Sequence, residues 1–496
     1  MREHLFQLPD NATSSLQAQV REMLVSAILD GHLPPGRALP SCRKLATQLG
    51  IARNTVVLAY QHLVDEGYLI SRERSGFYVD PGILEGRLSA STQDAHAPPV
   101  DRAAVSAFAP AWRARLQVEA TALASPNRPS DWQRYDYPFV YGQIDPALFP
   151  IAEWRECCRE ALSVRAIRQW AHDHIDTDDP DLVEQLQTRV LPRRGVWAKP
   201  EQILVTLGAQ QALYLLAALL MGDRDTVGIE NPGYADARNI LQMHAGKLVP
   251  IPVDSQGLRV SASLRGCDYL YVTPSHQCPT TVTMPLTRRR ALLDSAREHD
   301  FIIIEDDYEA ENNYAGPPTP ALKSLDADGR VIYVGSLSKT LAPGLRLGFM
   351  VGPEELVREA RALRRFMLRH PPSNNERSLA LFLSRGHHDA LVRRLSHAFR
   401  ERCQVMGEAL RRHLPQASYV PTVGGTSYWV QGPDNLNVAG LLPEARREGV
   451  LVEPGDVFFA APEQHQNYFR LGFSAIPTQA IEPGIVRLAA LLRRCT

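Results

Sequence analysis

Six apolar runs recur between residues 202 and 336: "QILVTL", "TVGIE", "KLVPIPV", "YLYVTP", "FIIIEDDY" and "VIYVGS". They are short and rich in Val, Ile and Tyr, as expected for strands buried on both faces. Helical segments, such as 152–168 and 181–192, alternate with these runs. Such an alternation points to a mostly parallel sheet wrapped by helices, an α/β domain expected over residues 135–496.

Residues 15–79 obey a different pattern. "LQAQVREMLVSAILDG" sets Leu16, Val20, Leu24 and Ile28 on one helical stripe closed by Gly31. Ser41 stands where it caps a second short helix, which Gly50 ends. A third helix follows with Val56, Tyr60, Leu63 and Val64 inward, and "YLISRERSGFYV" alternates as two strands about a basic turn. This is the layout of a winged helix-turn-helix, a small α+β head expected over residues 13–80. Residues 81–134, rich in Ala, Ser, Pro and Gln, read as a linker, with "AWRARLQVEATAL" a short amphipathic helix inside it.

With 54 basic and 55 acidic residues the chain has no overall attraction for nucleic acid, so any such contact depends on local clustering. Arg37, Arg43, Lys44, Arg53, Arg72 and Arg74 fall on the second helix, the start of the third, or the wing. The acids Glu22, Asp30, Asp65 and Glu66 lie mostly elsewhere. Arg53, Asn54 and Thr55 open the third helix, where side chains reach base edges; Arg43, Lys44, Arg72 and Arg74 suit phosphates. The alternative is a protein-binding winged helix, with these charges a solvated face. No apolar leader opens the sequence, and the longest apolar stretch, "ALYLLAALLM", is about half of what a membrane-crossing helix needs. The seven cysteines are scattered without paired metal-type spacing, which suits a reduced cytoplasmic setting with no metal site and no membrane contact.

The remaining chemistry gathers at strand ends. "YVGSLSKTLAPGLRLGF" places Lys339 in a small-residue loop beside Ser336, Ser338 and Arg346, suited to an anion or a covalent imine; alone it reads equally as a surface turn. "VTLGAQQAL" is strand, turn and helix, so Gly208, Ala209 and Gln210 present N–H groups at a helix start where a phosphate sits well. Alternation along "FIIIEDDY" turns Asp306 and Tyr308 to one side and Glu305 and Asp307 to the other. Tyr234, in "ENPGYADAR", is available to stack on a flat ring. Phosphate, ring nitrogen, ring hydroxyl and aldehyde are the four handles of pyridoxal 5'-phosphate (PLP), with Lys339 as its Schiff-base lysine.

The stretch "LPSCRKLATQLGIARNTVVLAYQHLVDEGYL…SGFYV" resembles the head of GntR-family bacterial transcription regulators. "LFPIAEW", "GAQQAL", "NPGY", "TPSHQCPT", "EDDY", "SLSKTLAPGLRLGF" and "FRLGFS" resemble, in order, a fold-type I aminotransferase domain. The fusion resembles the MocR subfamily. The resemblance implies that Lys339 forms the aldimine, Asp306 faces the pyridine nitrogen, Tyr308 meets the ring hydroxyl and Tyr234 stacks. It implies that Ser336, Ser338 and Arg346 hold phosphate, and that Arg470 meets a ligand carboxylate unless it is a structural ion pair. His276 is either a ligand contact or a loop-fixing residue. The sequence departs from the family at Cys278-Pro279-Thr280-Thr281, where aminotransferases commonly offer an asparagine and a following glycine, and "DTDDPDLVEQL" lacks the glycine usual before the domain's leading helix. The expectation is a homodimeric regulator on double-stranded operator DNA that senses a small amino compound through an external aldimine. The alternative is a working aminotransferase with a DNA-binding head.

Overall fold

The computed structural model describes Leu8 and residues 14–83, 112–126, 128–313, 319–420 and 424–495. The chain divides into two compact units, Met1–Arg115 and Leu116–Thr496.

The smaller unit consists of α1 (Leu16–Leu29), α2 (Cys42–Leu49), α3 (Arg53–Asp65) and an antiparallel hairpin of β1 (Leu69–Arg72) and β2 (Gly76–Val79). The Ser41 hydroxyl accepts from the Lys44 N–H at 3.3 Å, and Gly50 takes the left-handed conformation (φ 65°) that ends α2. Val20, Leu24 and Ile28 of α1 pack on Leu45 of α2 and on Val56, Tyr60 and Leu63 of α3. Each large side chain so buried contributes about 1.5–3 kcal/mol. Tyr60 fastens the hairpin: its hydroxyl donates to the Pro40 carbonyl at 2.9 Å and its ring meets Phe77 edge-on.

Residues 84–111, most of the expected linker, lie outside the described residues. The amphipathic helix expected in "AWRARLQVEATAL" does not form. Two 3₁₀ turns, Trp112–Arg115 and Ala120–Ala122, stand in its place and bury no side chain. A short helix needs an apolar face covered by something, and Trp112 and Leu116 are exposed. Residues from Leu116 on pack with the larger unit.

That unit opens with β3 (Tyr137–Pro138). Its main sheet holds β4 (Ile203–Thr206), β5 (Thr226–Asn231), β6 (Lys247–Asp254), β7 (Gly257–Leu258), β8 (Tyr269–Val272), β9 (Ile302–Asp307), β10 (Val331–Ser336) and β11 (Gly348–Val351). The order is β4-β11-β10-β9-β8-β5-β6-β7. β10, β9, β8, β5 and β6 run parallel, and β11 is antiparallel to both β10 and β4. Each of the six apolar runs supplies a strand. Ile304, Ile332, Val334 and Met350 face Leu213 and Leu216 of α4 (Ala209–Leu220) and Ile240 of α5 (Ala235–His244). Ile303, Val331 and Leu270 face Leu292 and Ala296 of the helix Leu286–His299 on the other side. A second sheet contains β12 (Ser418–Tyr419), β13 (Ser427–Gln431), β15 (Glu453–Pro454) and β16 (Tyr468–Gly472), while β14 (Val450–Leu451) pairs with β3.

Two helical boundaries differ from the sequence reading. The segment 152–168 is two helices, Ile151–Ala161 and Val164–Trp170, because Ser163 breaks off and caps the second. The segment 181–192 starts as Pro180–Gln185 and then widens into a π turn, Leu186–Val190, before a 3₁₀ turn that contains Pro192. Pro192 has no N–H for a regular helical bond, so the ladder must change register.

Candidate functional site: a lysine-bearing pocket

A cavity of about 450 Å³ opens where the parallel strands end, the usual ligand position in such sheets. Asp306, Tyr308, Lys339, Tyr234, Ser336, Ser338, Arg346, Arg470 and the Gly208–Gln210 turn all line it.

Asp306 lies at the end of β9 and is almost wholly buried. The Tyr271 hydroxyl donates to its Oδ2 at 2.8 Å, while Oδ1 is buried with no hydrogen-bond partner among the described residues. Burial pushes its carboxyl up to about 7, against the Tyr271 hydrogen bond. Alternation gives its neighbours another task. Arg194 donates to Asp307 at 2.8 Å and so does Tyr333, while Glu305 accepts from the Leu322 and Lys323 N–H groups. Burial opposes the charge of Asp307, yet Arg194 holds its carboxyl below the usual range.

Lys339 sits in the loop that joins β10 to β11. Its Nζ lies 4.5 Å from the centre of the Tyr141 ring, and burial lowers its pKa, against the nearby Glu309 carboxylate. A Cβ on Gly142 would stand 2.7 Å from that Nζ, so only glycine leaves the amine its place. At the far end Gly208 (φ 80°) precedes α4, with the Arg346 guanidinium against it; a Cβ there would approach Nη2 to 3.1 Å. Arg346 donates to the Leu207 carbonyl at 3.1 Å. The Ser338 hydroxyl both donates to and accepts from the main chain of Leu347, so it fixes the turn that carries Arg346.

The opposite wall belongs to the second sheet. Arg470 on β16 stands directly across from Glu453 on β15, and its Nε donates to that carboxylate at 2.5 Å. Its guanidinium lies 3.8 Å from the Tyr141 ring centre and 4.7 Å from that of Phe458, and its Nη1 is 3.9 Å from the Cys278 sulfur. Arg470 is thus both an ion-pair member and a wall of the cavity. Burial pushes the Cys278 thiol up to about 12, so it stays protonated.

His276 is not among the lining residues, and of its two readings, ligand contact or loop-fixing residue, its surroundings match the second. Its ring is buried against Gly424, where a Cβ would come within 2.4 Å, and its carbonyl accepts from the Tyr308 hydroxyl at 2.7 Å. Thr281 adopts φ 62°, a strained conformation for a β-branched residue, costing on the order of 1–3 kcal/mol. Gln277 braces this loop, donating to Glu230, Pro232 and Cys278 and accepting from Thr280. Tyr141, Gly142, Tyr271, Glu453 and Asp236 belong to the site without having been singled out from the sequence. Only Tyr271, one strand over from Asp306 on the same face, had a signal in the alternation of "YLYV".

In the smaller unit, Arg43 and Lys44 are exposed on α2, and Arg53 and Asn54 are exposed at the start of α3 with Thr55 half-buried. Arg37 is exposed ahead of α2. Arg72 and Arg74 are exposed on the hairpin, where the Arg72 guanidinium rests over Tyr78 at 4.6 Å. Glu66 is engaged by Arg21 of α1 at the other end of α3.

Residues 145–488 match the family "aminotransferase class I and II", and residues 16–79 match "bacterial regulatory proteins, gntR family". The chain is 44% identical over 488 residues to the HTH-type transcriptional regulator TauR of Rhodobacter capsulatus, spanning 98% of this chain and 99% of that one. It is 32% identical over 489 residues to the probable rhizopine catabolism regulatory protein MocR of Rhizobium meliloti, spanning 96% and 94%. Among solved structures it resembles the kynurenine aminotransferase of Pyrococcus horikoshii, at 27% identity and a TM-score of 0.69, over 79% of this chain and 98% of that one. A class I and II aminotransferase fold implies PLP, and the pocket fits it. Asp306 Oδ1 is a buried acceptor in need of a donor, the desolvated Lys339 amine faces the same space, and Gly142 and Gly208 keep both ends open. The chain belongs to the MocR subfamily of GntR-family transcription regulators, which join a winged helix-turn-helix head to an aminotransferase class I and II domain.

Proposed function

We propose that the large unit senses a small amino compound and that its response alters how the head engages double-stranded operator DNA. The observation that carries this reading is the convergence of the Lys339 amine and the unpaired Asp306 Oδ1 on one cavity. When bound, PLP supplies an aldehyde carbon that exchanges one amine partner for another. Asp306 Oδ1 would accept from the protonated ring nitrogen and Tyr308 would face the ring hydroxyl. Tyr234 would stack on the ring. The N–H groups of Gly208, Ala209 and Gln210, with Ser336 and Arg346, would hold the phosphate, and Ser338 would support them through Leu347.

Burial lowers the proton affinity of the Lys339 amine, which favours an amine that can exchange places with an incoming one. Arg470 would grip an acid group on that amine through the guanidinium edge that Glu453 leaves available. An amine that favours one arrangement of the large unit over another shifts the population, and with it the operator affinity. We assign residues 13–80 to DNA contact, 81–134 to connection and 135–496 to sensing, in a homodimer. Ile151, Leu162 and Val164 are each more than half exposed, apolar surface that a second copy could cover.

The test is reduction of the purified protein with borohydride followed by peptide mapping. PLP should be fixed on Lys339. A Lys339→Ala protein that still yields a borohydride-stable PLP adduct overturns the reading. Keto-acid-dependent turnover at ordinary enzyme rates would favour a working aminotransferase.

A further inference from the structure

The segment that leads toward the head is fastened to the wall of the pocket. The Ser125 hydroxyl donates to Asp236 Oδ1 at 2.6 Å, and the Asn239 side-chain amide donates to the Ala124 carbonyl at 2.8 Å. Both acceptor and donor lie on α5, whose N-terminal neighbour is Tyr234. Asp236 also faces the pocket: its Oδ2 accepts from the Tyr234 hydroxyl at 3.2 Å and from the Gln210 amide at 3.4 Å. Pro126, next to Ser125, lines the cavity together with Tyr234, Gln210 and Asp236. One carboxylate therefore joins three structures: Tyr234, the first turn of α4, and the incoming segment.

We propose that Asp236 is a positioning residue that clamps residues 124–126 to the pocket wall, so that filling the pocket orders the segment leading to the DNA-binding head. The inference rests on the reading of this pocket as the PLP site. A cofactor ring held against Tyr234 and a phosphate beside Gln210 would narrow the rotamers of both side chains, which would in turn fix the Asp236 carboxylate in the position Ser125 requires. Linkage makes the effect mutual: an ordered clamp raises the affinity of the pocket by the same factor by which a filled pocket orders the clamp.

The experiment uses the full-length protein, PLP itself as probe, and amide hydrogen exchange over residues 119–126, with PLP loading followed separately by absorbance. In the unmodified protein, PLP should slow exchange across this segment about tenfold or more, the lower range for one hydrogen bond to a charged carboxylate. Ser125→Ala, outside the pocket lining, should remove that PLP-dependent slowing. It should reduce PLP affinity by no more than the same factor, and Ser125→Thr should restore both. A merely structural bond would raise exchange equally with and without PLP, and that result overturns the proposal, as does unchanged protection in Ser125→Ala. Failure of the unmodified protein to load PLP overturns the cofactor reading and this inference with it.

Discussion

Asp306→Asn should move stability and cofactor affinity in opposite directions. The substitution keeps the shape of the side chain and an acceptor for the Tyr271 hydroxyl, and removes only the charge. In the cofactor-free protein that charge is a burden, since burial raises the carboxyl from 3.8 to about 7. The folded state therefore keeps its proton between pH 3.8 and about 7 while the unfolded chain has released it. The folded state binds more protons there, so stability falls as pH rises through this window and stays lower above it. At 1.36 kcal/mol per pH unit the difference is on the order of 4 kcal/mol. Urea unfolding of cofactor-free protein should show the Asp306→Asn variant more stable than the unmodified chain at pH 8, with little difference at pH 4. Glu305, also raised to about 7, is present in both proteins and cancels, whereas Glu230, raised to about 7 chiefly by burial and in part by the Asp306 charge, eases in the variant and adds to the gain at pH 8. With PLP the order reverses: loss of a charge-assisted bond to the ring nitrogen should weaken binding by about 1.5–3 kcal/mol, ~10-fold or more. A variant with no stability gain at pH 8, or with unweakened PLP affinity, would refute the burial and orientation assigned to Asp306.

Asp307→Ala, one residue on, should behave otherwise: it leaves Arg194 buried without its carboxylate, so stability should drop by about 3–5 kcal/mol in urea, while PLP titration of the protein still folded changes little. Arg470→Ala should leave PLP loading intact and abolish the amine-induced change in absorbance, and Arg470→Lys should respond poorly because an ammonium has no planar fork; loss of PLP itself would mean that the pair with Glu453 is purely structural. Arg72→Ala should weaken operator binding across all sequences and reduce the log–log salt slope by roughly 0.9, measured by fluorescence anisotropy. Arg53→Ala should instead relax discrimination at particular bases, at about 1–3 kcal/mol; unchanged affinity in both variants would exclude the head as the DNA reader.

Local periodicity carried much of this protein. A period of two in "FIIIEDDY" sorts Asp306 and Tyr308 to the pocket and leaves Asp307 with Arg194, because successive side chains of a strand must point to opposite faces. The six strands, the Ser41 cap and the left-handed Gly50 were legible for the same reason: each depends on residues a few positions apart. Likewise the small-residue loop around Lys339 announced a chain reversal, and β10 and β11 flank it.

What the fold alone decided are the partnerships between distant segments. Tyr271 reaches Asp306 across 35 residues, Arg194 reaches Asp307 across 113, and Ser125 reaches Asp236 across 111. No pattern of neighbours encodes such pairs, since they arise only when the sheet order sets β8 beside β9 and the chain ahead of β3 passes over α5. The same holds for His276, whose two readings, ligand contact or loop-fixing residue, are separated only by the packing of its ring against the distant Gly424. It holds for Arg470, whose position on a late strand was readable but whose facing carboxylate, Glu453, depends on the register of β15 against β16. Sequence determines which side chains a strand or helix can present; only close packing of remote segments decides which of them meet.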